Sequence, residues 1–512
     1  MTNQDLNIAW HYHNGTKHSY WSVRRNAHYL DWPNRPFPFK VYPDLDPIPL
    51  PQNLPESVLP ALKAISATAD ATGENIPDLT RLAAVLFYSA GVTKKKSYPG
   101  GEVYFRAAAC AGALYPIETY IVCGDLNGLD AGVYHFNPGD FALRRLRAGD
   151  FRGALVQAAG NEPSIAAAPA VLVYTGIVWR SSWKYQARSY RYLYWDNGMV
   201  LANALAAAAA NRLPAKLVMG FVDSDVNDLV GVDGEREMSL SLLSLGRTSA
   251  ATPGPPADVP QLNLETIPLS SSQVEYPVIS EMHAASSLRT QEEVLAWRGE
   301  PPRKDLPEPQ GRLFPLEPLG EDALPGESLE SVILRRASTR QFAHKPISYA
   351  QLSTILDRAA RGFPADFLES TGAEINDLYI NLHAVDGAPS GAYYYCRPHR
   401  ALELLREGDF RNESAYLCLE QDLGGDSSAT VFYLADLNRV FERFGNRGYR
   451  AAQIEAAIIG GRVYLASYSL GRGATGLTFY DDETTEFFSP HAAGKSVIFV
   501  TALGVPGKRP LY

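Results

Sequence analysis

The chain has little sulfur and no long apolar run. Its four cysteines (Cys110, Cys123, Cys396, Cys418) are scattered over 512 residues with no C-x-x-C spacing. That excludes a disulfide scaffold and a cysteine zinc site, and implies reduced thiols in a cytoplasmic protein. The longest apolar stretch, Val200 to Ala210, is broken by Asn203 and closed by Asn211-Arg212. It is too short and alanine-rich to span a bilayer, so no membrane is expected. The N-terminus is polar and rich in histidine, unlike a secretory signal. Net charge is −9 with no basic block, so nucleic acid is not expected as a partner. His11, His13, His18 and His28 lack carboxylates or cysteines at ligand spacing, and no metal is expected.

What the chain does contain is a second copy of itself. Cys110 to Ile121 resembles Ser370 to Ile380, and Gly132 to His135 resembles Gly391 to Tyr394. Lys184 to Arg191 matches Arg443 to Arg450. Gly112 lies 72 positions before Lys184, and Gly372 lies 71 before Arg443. A period this long means two whole domains, which also suits a length too great for one core.

The organisation follows. Residues 1–60 form a leader rich in aromatics, His and Pro, and 61–249 form the first repeat. Residues 250–327 are Pro-rich, with only Arg289 to Arg298 reading as helix, and form a linker or wrapping arm. The second repeat, 328–512, opens on a helix whose N-cap is Ser328, with Ser331 in its first turn. Ile76 to Gly91 reads as an amphipathic helix. Val171 to Tyr174 and Thr430 to Leu434 read as corresponding strands, as do Met238 to Gly246 and Ser496 to Gly504. Helices alternating with β-branched strands suggest an α+β sandwich in each repeat.

The two copies carry different chemistry. Copy two has Arg335, Arg336, Ser338 and Arg340 within six positions. Guanidinium pairs bidentately with phosphate oxygens and serine adds a neutral donor; the alternative is a solvated helix end. Copy two also has the glycine-rich run Gly471 to Thr478, where small residues let backbone amides approach a flat ligand, unless it is only a turn. Lys508 and Arg509 add two cations near the C-terminus. Copy one lacks both features and has Leu217 to Val222 at the loop position. It has instead Arg106 to Pro116, and Lys184-Tyr185 where copy two has Arg443-Phe444. A lysine acts as a base if burial or neighbouring cations lower its pKa, and tyrosine can exchange a proton. Arginine and phenylalanine do neither readily. The plainer alternative is a surface lysine beside a packed ring.

Together these residues resemble the FMN-dependent nitroreductase superfamily, and within it the SagB/McbC-type azoline dehydrogenases. Arg336, Ser338 and Arg340 resemble the flavin-phosphate motif. Gly473 to Leu477, with Thr475, Gly476 and Leu477 as the binding residues and Asp481-Asp482 beyond, resemble the loop facing the flavin ring. Arg106, Cys110, Ala111 and Gly112 lie in a segment similar to the one that reaches the partner's flavin across a dimer interface. Lys184 and Tyr185 resemble the catalytic pair of azoline oxidation. Tyr12-His13, Leu30 to Trp32 and Pro38 to Lys40 of the leader also resemble this subgroup. Ala109-Cys110 stands where the family has Pro-Ser, which replaces a hydroxyl donor with a thiol.

The resemblance implies two nitroreductase-like sandwich domains, each a mixed or antiparallel sheet flanked by helices, fused as an intramolecular pseudo-dimer. It implies one complete FMN site per chain, with copy two supplying the phosphate side and copy one the cross-interface side. The implied substrate is a small molecule or a modified peptide, most directly a peptide-derived heterocycle that is oxidised. Two other readings stay open. One is NAD(P)H-dependent reduction of a nitroaromatic, quinone or flavin. The other is a flavin-binding or scaffold partner with little activity. Further pairing through the arm also stays open.

Overall fold

The computed structural model describes residues 2–507 apart from 26–27, 58, 70–71, 99–100, 256–257, 303, 305–307 and 370–373. Lys508 and Arg509, and Ser370 to Ala373 of the stretch aligned with copy one, therefore lie outside the described residues. Strands of the first half are β1 (Pro47–Pro49), β2 (Val92–Tyr98), β3 (Gly101–Arg106), β4 (Ile117–Cys123), β5 (Gly132–Asn137), β6 (Ala142–Ala148), β7 (Ala170–Ile177), β8 (Ala215–Val218) and β9 (Glu237–Leu245). Those of the second are β10 (Leu313–Pro315), β11 (Ile347–Ser348), β12 (Asp377–Leu382), β13 (Val385–Asp386), β14 (Gly391–Cys396), β15 (Ala401–Glu407), β16 (Ala429–Ala435), β17 (Gly473–Gly476) and β18 (Ser496–Gly504).

One seven-stranded sheet runs β1-β6-β5-β4-β7-β9-β8 and the other β10-β15-β14-β12-β16-β18-β17. Matched by their place in the chain, the strands of the two sheets follow the same order, so the duplication holds strand for strand. Neighbours in both sheets are antiparallel. Tyr120 pairs with Val173 in the first half as Tyr379 pairs with Phe432 in the second. The central strands are buried on both faces, as expected where helices cover a sheet.

The halves meet along two long helices, Ser189–Ala210 and Arg447–Ser469, buried nearly all round. A β-carbon on Gly198 would lie 2.5 Å from Ala457 Cβ, and one on Gly461 2.5 Å from Ala202 Cβ. Glycine is what lets these backbones approach so closely. Two arginines at the start of each helix also reach into the opposite half, with Arg188 standing just before Ser189. Arg188 and Arg191 pair with Asp481 at 2.9 and 2.7 Å; Arg447 and Arg450 pair with Asp223 at 2.6 and 2.7 Å.

Ser328 caps the helix Leu329–Arg335 by accepting from Ser331 N–H, and Asp78 caps Leu79–Ala90 through Arg81 N–H. The arm is more ordered than its composition predicts. Besides Gln291–Trp297 it contains the helix Pro277–Ala285, with proline in the first turn, where its missing N–H costs nothing. No described helix is long and apolar enough to cross a membrane.

Candidate active site

Two adjoining cavities lie where the halves meet. The first, about 280 Å³, is a slot. Copy one contributes Ala109 to Gly112, Lys184, Tyr185, Tyr192, Trp195 and Asp196; copy two contributes Ser338, Arg340, Tyr464 and Thr475 to Thr478. The second, about 410 Å³, is a basic lobe with Lys94, Lys96, Arg106, Arg335, Arg336 and Arg340 on its walls. Ala109, Cys110, Ser338 and Arg340 border both. The structure thus brings together, from four separate segments and both halves, the expected residues Arg106 and Cys110 to Gly112, Lys184 and Tyr185, Arg336, Ser338 and Arg340, and Thr475 to Leu477.

The cations of the lobe differ in how they are held. Arg335 is tied to Glu327. Arg336 donates to the carbonyls of Arg106 and Ala107 across the interface, at 3.2 and 2.9 Å from Nη2. Arg106 donates to Ile117 O and Pro38 O. Burial lowers the pKa of both Arg106 and Arg336, Arg106 to about 10. Arg340 has no hydrogen-bond or ion-pair partner among the described residues, so its five donors are available to an anion. Ser338 Oγ lies 3.3 Å from Tyr464 OH, whose oxygen accepts from Gly476 N–H.

Lys184 and Tyr185 end the helix Val178–Tyr185, and Gln186 turns the chain with φ 49°. Tyr185 stacks on Tyr192 at 4.1 Å, which fixes its ring. Gly112 has φ 62°, and a β-carbon there would sit 2.8 Å from Tyr185 OH and 3.2 Å from Lys184 Nζ. Burial first, then the charges of Arg340 and Arg35, lower the Lys184 pKa. Burial raises that of Tyr185 well above its ordinary value. The pair therefore offers an amine that loses its proton more readily than free lysine, beside a phenol that keeps its own.

The counterpart of the slot in the other half is filled by the chain itself. Trp297, from the arm, packs its ring 5.2 Å from Phe444 and 6.1 Å from Phe367 and donates Nε1–H to Phe444 O at 3.0 Å. Arg443, at the position of Lys184, donates to the carbonyls of Glu300 and Trp297 at 3.0 and 3.3 Å, and also to that of Arg298. The Asp366 carboxylate accepts from Met219 N–H and Gly220 N–H at 2.9 and 2.8 Å, in the loop after β8 that corresponds to the one after β17.

Residues 63–247 and 333–512 each match the Nitroreductase family. The chain belongs to that family. A crystal structure of a protein from Anabaena variabilis ATCC 29413 described as a nitroreductase superposes with TM-score 0.77 at 26% identity, over 98% of this chain and 99% of that one. A Methanocaldococcus jannaschii protein described as a nitroreductase is 29% identical over 165 residues, 31% of this chain and 82% of its own. The trifolitoxin-processing protein TfxB of Rhizobium leguminosarum bv. trifolii is 31% identical over 169 residues, 32% of this chain and 45% of its own. The chain thus spans less than half the length of TfxB.

For a member of the Nitroreductase family, the motif reading missed several residues that line the slot. Tyr192, Trp195 and Asp196 come from the long helix, Tyr464 from its partner helix, and Gln421 from a turn. Asp196 had a signal: it is the sole acid in Ser189–Ala210. Gln421 had none.

Proposed function

We propose that this chain is an FMN-dependent oxidoreductase of the SagB/McbC type, binding about one FMN and dehydrogenating a peptide-derived azoline. The observation that carries this reading is the asymmetry between the two equivalent positions. One is an open slot with Lys184 and Tyr185 on its wall and a basic lobe beside it; the other is closed by Trp297, Asp366 and Arg443. The similarity to a toxin-processing protein supports a peptide-derived substrate.

The donor set suits FMN. Arg340 and the lobe lysines match a phosphate's charge, and the slot is lined by aromatic and small residues that a flat ring system can pack against. FMN, when bound, supplies a two-electron acceptor. Lys184 takes the proton lost by the substrate carbon, since its neutral form is favoured by burial and by Arg340 and Arg35. Tyr185, which stays protonated, donates a hydrogen bond and orients the ring being oxidised. Gly112 leaves room for both.

The test is the visible spectrum of the purified protein before and after FMN is added, with flavin per chain quantified. A value of about one supports the split site. A value near two would mean that the closed half opens and binds. No flavin uptake would sink the oxidoreductase reading and favour a scaffold role.

A further inference from the structure

The turn from Cys110 to Tyr115 is conformationally costly. Gly112, Ala113 and Tyr115 have φ of 62°, 53° and 50°, a region that only glycine occupies freely. Such a turn persists only when something outside it holds it. Asp196 does so from the long helix. Its Oδ1 accepts from Ala111 N–H at 2.8 Å, and its Oδ2 shares a hydrogen bond with Cys110 Sγ at 3.2 Å. Cys110 Sγ in turn accepts from Tyr115 N–H at 3.0 Å. The carboxyl group thus holds the start of the turn, and the thiol it engages holds the end.

The second half uses the same device under different electrostatics. Glu455 accepts from the N–H groups of Ile375 and Asn376 and from Asn376 Nδ2, and the charge of Arg397 lies within its field. Around Asp196 the titratable groups are Cys110 on the turn, Tyr185 at the end of its helix and Tyr192 on its own helix. The cations Lys184 and Arg340 stand on other walls of the slot. None of them forms an ion pair with Asp196. Burial raises its pKa to about 7, and the bonds from Ala111 and Cys110 only partly offset that.

We propose that Asp196 is the positioning residue of the slot: it holds the Cys110–Tyr115 turn against Lys184 and Tyr185 as a neutral carboxyl group, so that FMN binding weakens as pH rises through neutrality. The inference rests on the FMN reading. A flavin ring in the slot removes the remaining water from Asp196, so the ring and the ionised carboxylate compete.

The experiment measures FMN affinity by fluorescence quenching at pH 6, 7, 8 and 8.5 for the wild type, Asp196→Asn and Asp196→Glu, with thermal unfolding of the FMN-free proteins alongside. The wild-type Kd should rise about tenfold per pH unit above 7, while that of Asp196→Asn stays flat. Asp196→Glu should retain a pH dependence. In unfolding, Asp196→Asn should gain on the wild type more at pH 8 than at pH 6. A raised carboxyl pKa gives stability that is fully present below about 4 and lost as pH rises through the folded value. A pH-independent wild-type Kd overturns the proposal without any variant, and so does an Asn variant that tracks the wild type. If the wild type binds no FMN, the FMN reading falls, and with it the proposed effect on binding. The unfolding arm then decides the clasp alone, and a pH-independent difference there overturns it.

Discussion

Lys184-Tyr185 and Arg443-Phe444 occupy the same place on two copies of one backbone. Each pair ends a helix, Val178–Tyr185 or Leu437–Phe444, and each is followed by a residue of positive φ, Gln186 at 49° and Gly445 at 64°. On one side the amine and the phenol face a cavity. On the other the guanidinium holds the arm's carbonyls and the ring lies against Trp297. The backbone therefore does not decide whether a cavity forms there. Side-chain chemistry and the arm do, and duplication let the halves diverge while their mutual arginine clamps stayed reciprocal.

The most direct way to break the comparison is to remove each member of the pair. Lys184→Ala should lower turnover with bound FMN by roughly 10²–10⁴-fold, the usual range for a general base. Lys184→Arg should not restore it, because arginine stays charged. Arg443→Ala should leave turnover near wild type and act on stability instead. Steady-state kinetics on flavin-loaded protein separates the two; equal losses would end the assignment of the slot to one half.

The clamps should behave alike where the slots do not. Asp223→Ala or Asp481→Ala strands two buried arginines, and each should cost about 3–5 kcal/mol in urea unfolding. Burial opposes ionisation of Asp481, but Arg188 and Arg191 hold its pKa at about 2. Its contribution is therefore present above the ordinary carboxyl range and is lost as pH falls through about 2. A much smaller cost for one aspartate than for the other would show that the interface too has become asymmetric.

Trp297→Ala sharpens the contrast from the closed side. Removing a buried indole should destabilise by about 3 kcal/mol or more. Flavin per chain should nonetheless stay at about one, since the first half has no equivalent of Arg336, Ser338 and Arg340. A second flavin appearing in this variant would mean that the arm alone closes the site.

Much of this was legible in the sequence because it is local or repeated. The duplication fixed the paired strands, and the Ser328 cap and the Lys184-Tyr185 divergence could be read residue by residue. What could not be read depends on chain segments distant in sequence. Proline content hid the helix Pro277–Ala285, although Pro277 sits where a helix tolerates it. Trp297 and Asp366 have no motif; they matter only because the fold carries them to the loop after β8. Arg336 read as a phosphate ligand, yet in the protein it also clamps Arg106 and Ala107 across the interface.

The smallest expected effect on stability is also the most selective. Gly112 has a φ that an L side chain adopts at a cost, and a β-carbon there would press on Tyr185 OH and Lys184 Nζ. Gly112→Ala should cost only about 1–2 kcal/mol of global stability, the scale of one strained residue. Its effect on the site should be larger, because the Lys184 amine and the phenol must both move, and a shift of about 1 Å can cost roughly 10²-fold in rate. Urea unfolding and turnover measured on the same preparation test this. A loss of stability without a loss of turnover would mean that the turn does not set the geometry of the pair, and the contrast between the halves would then rest on Lys184 and Tyr185 alone.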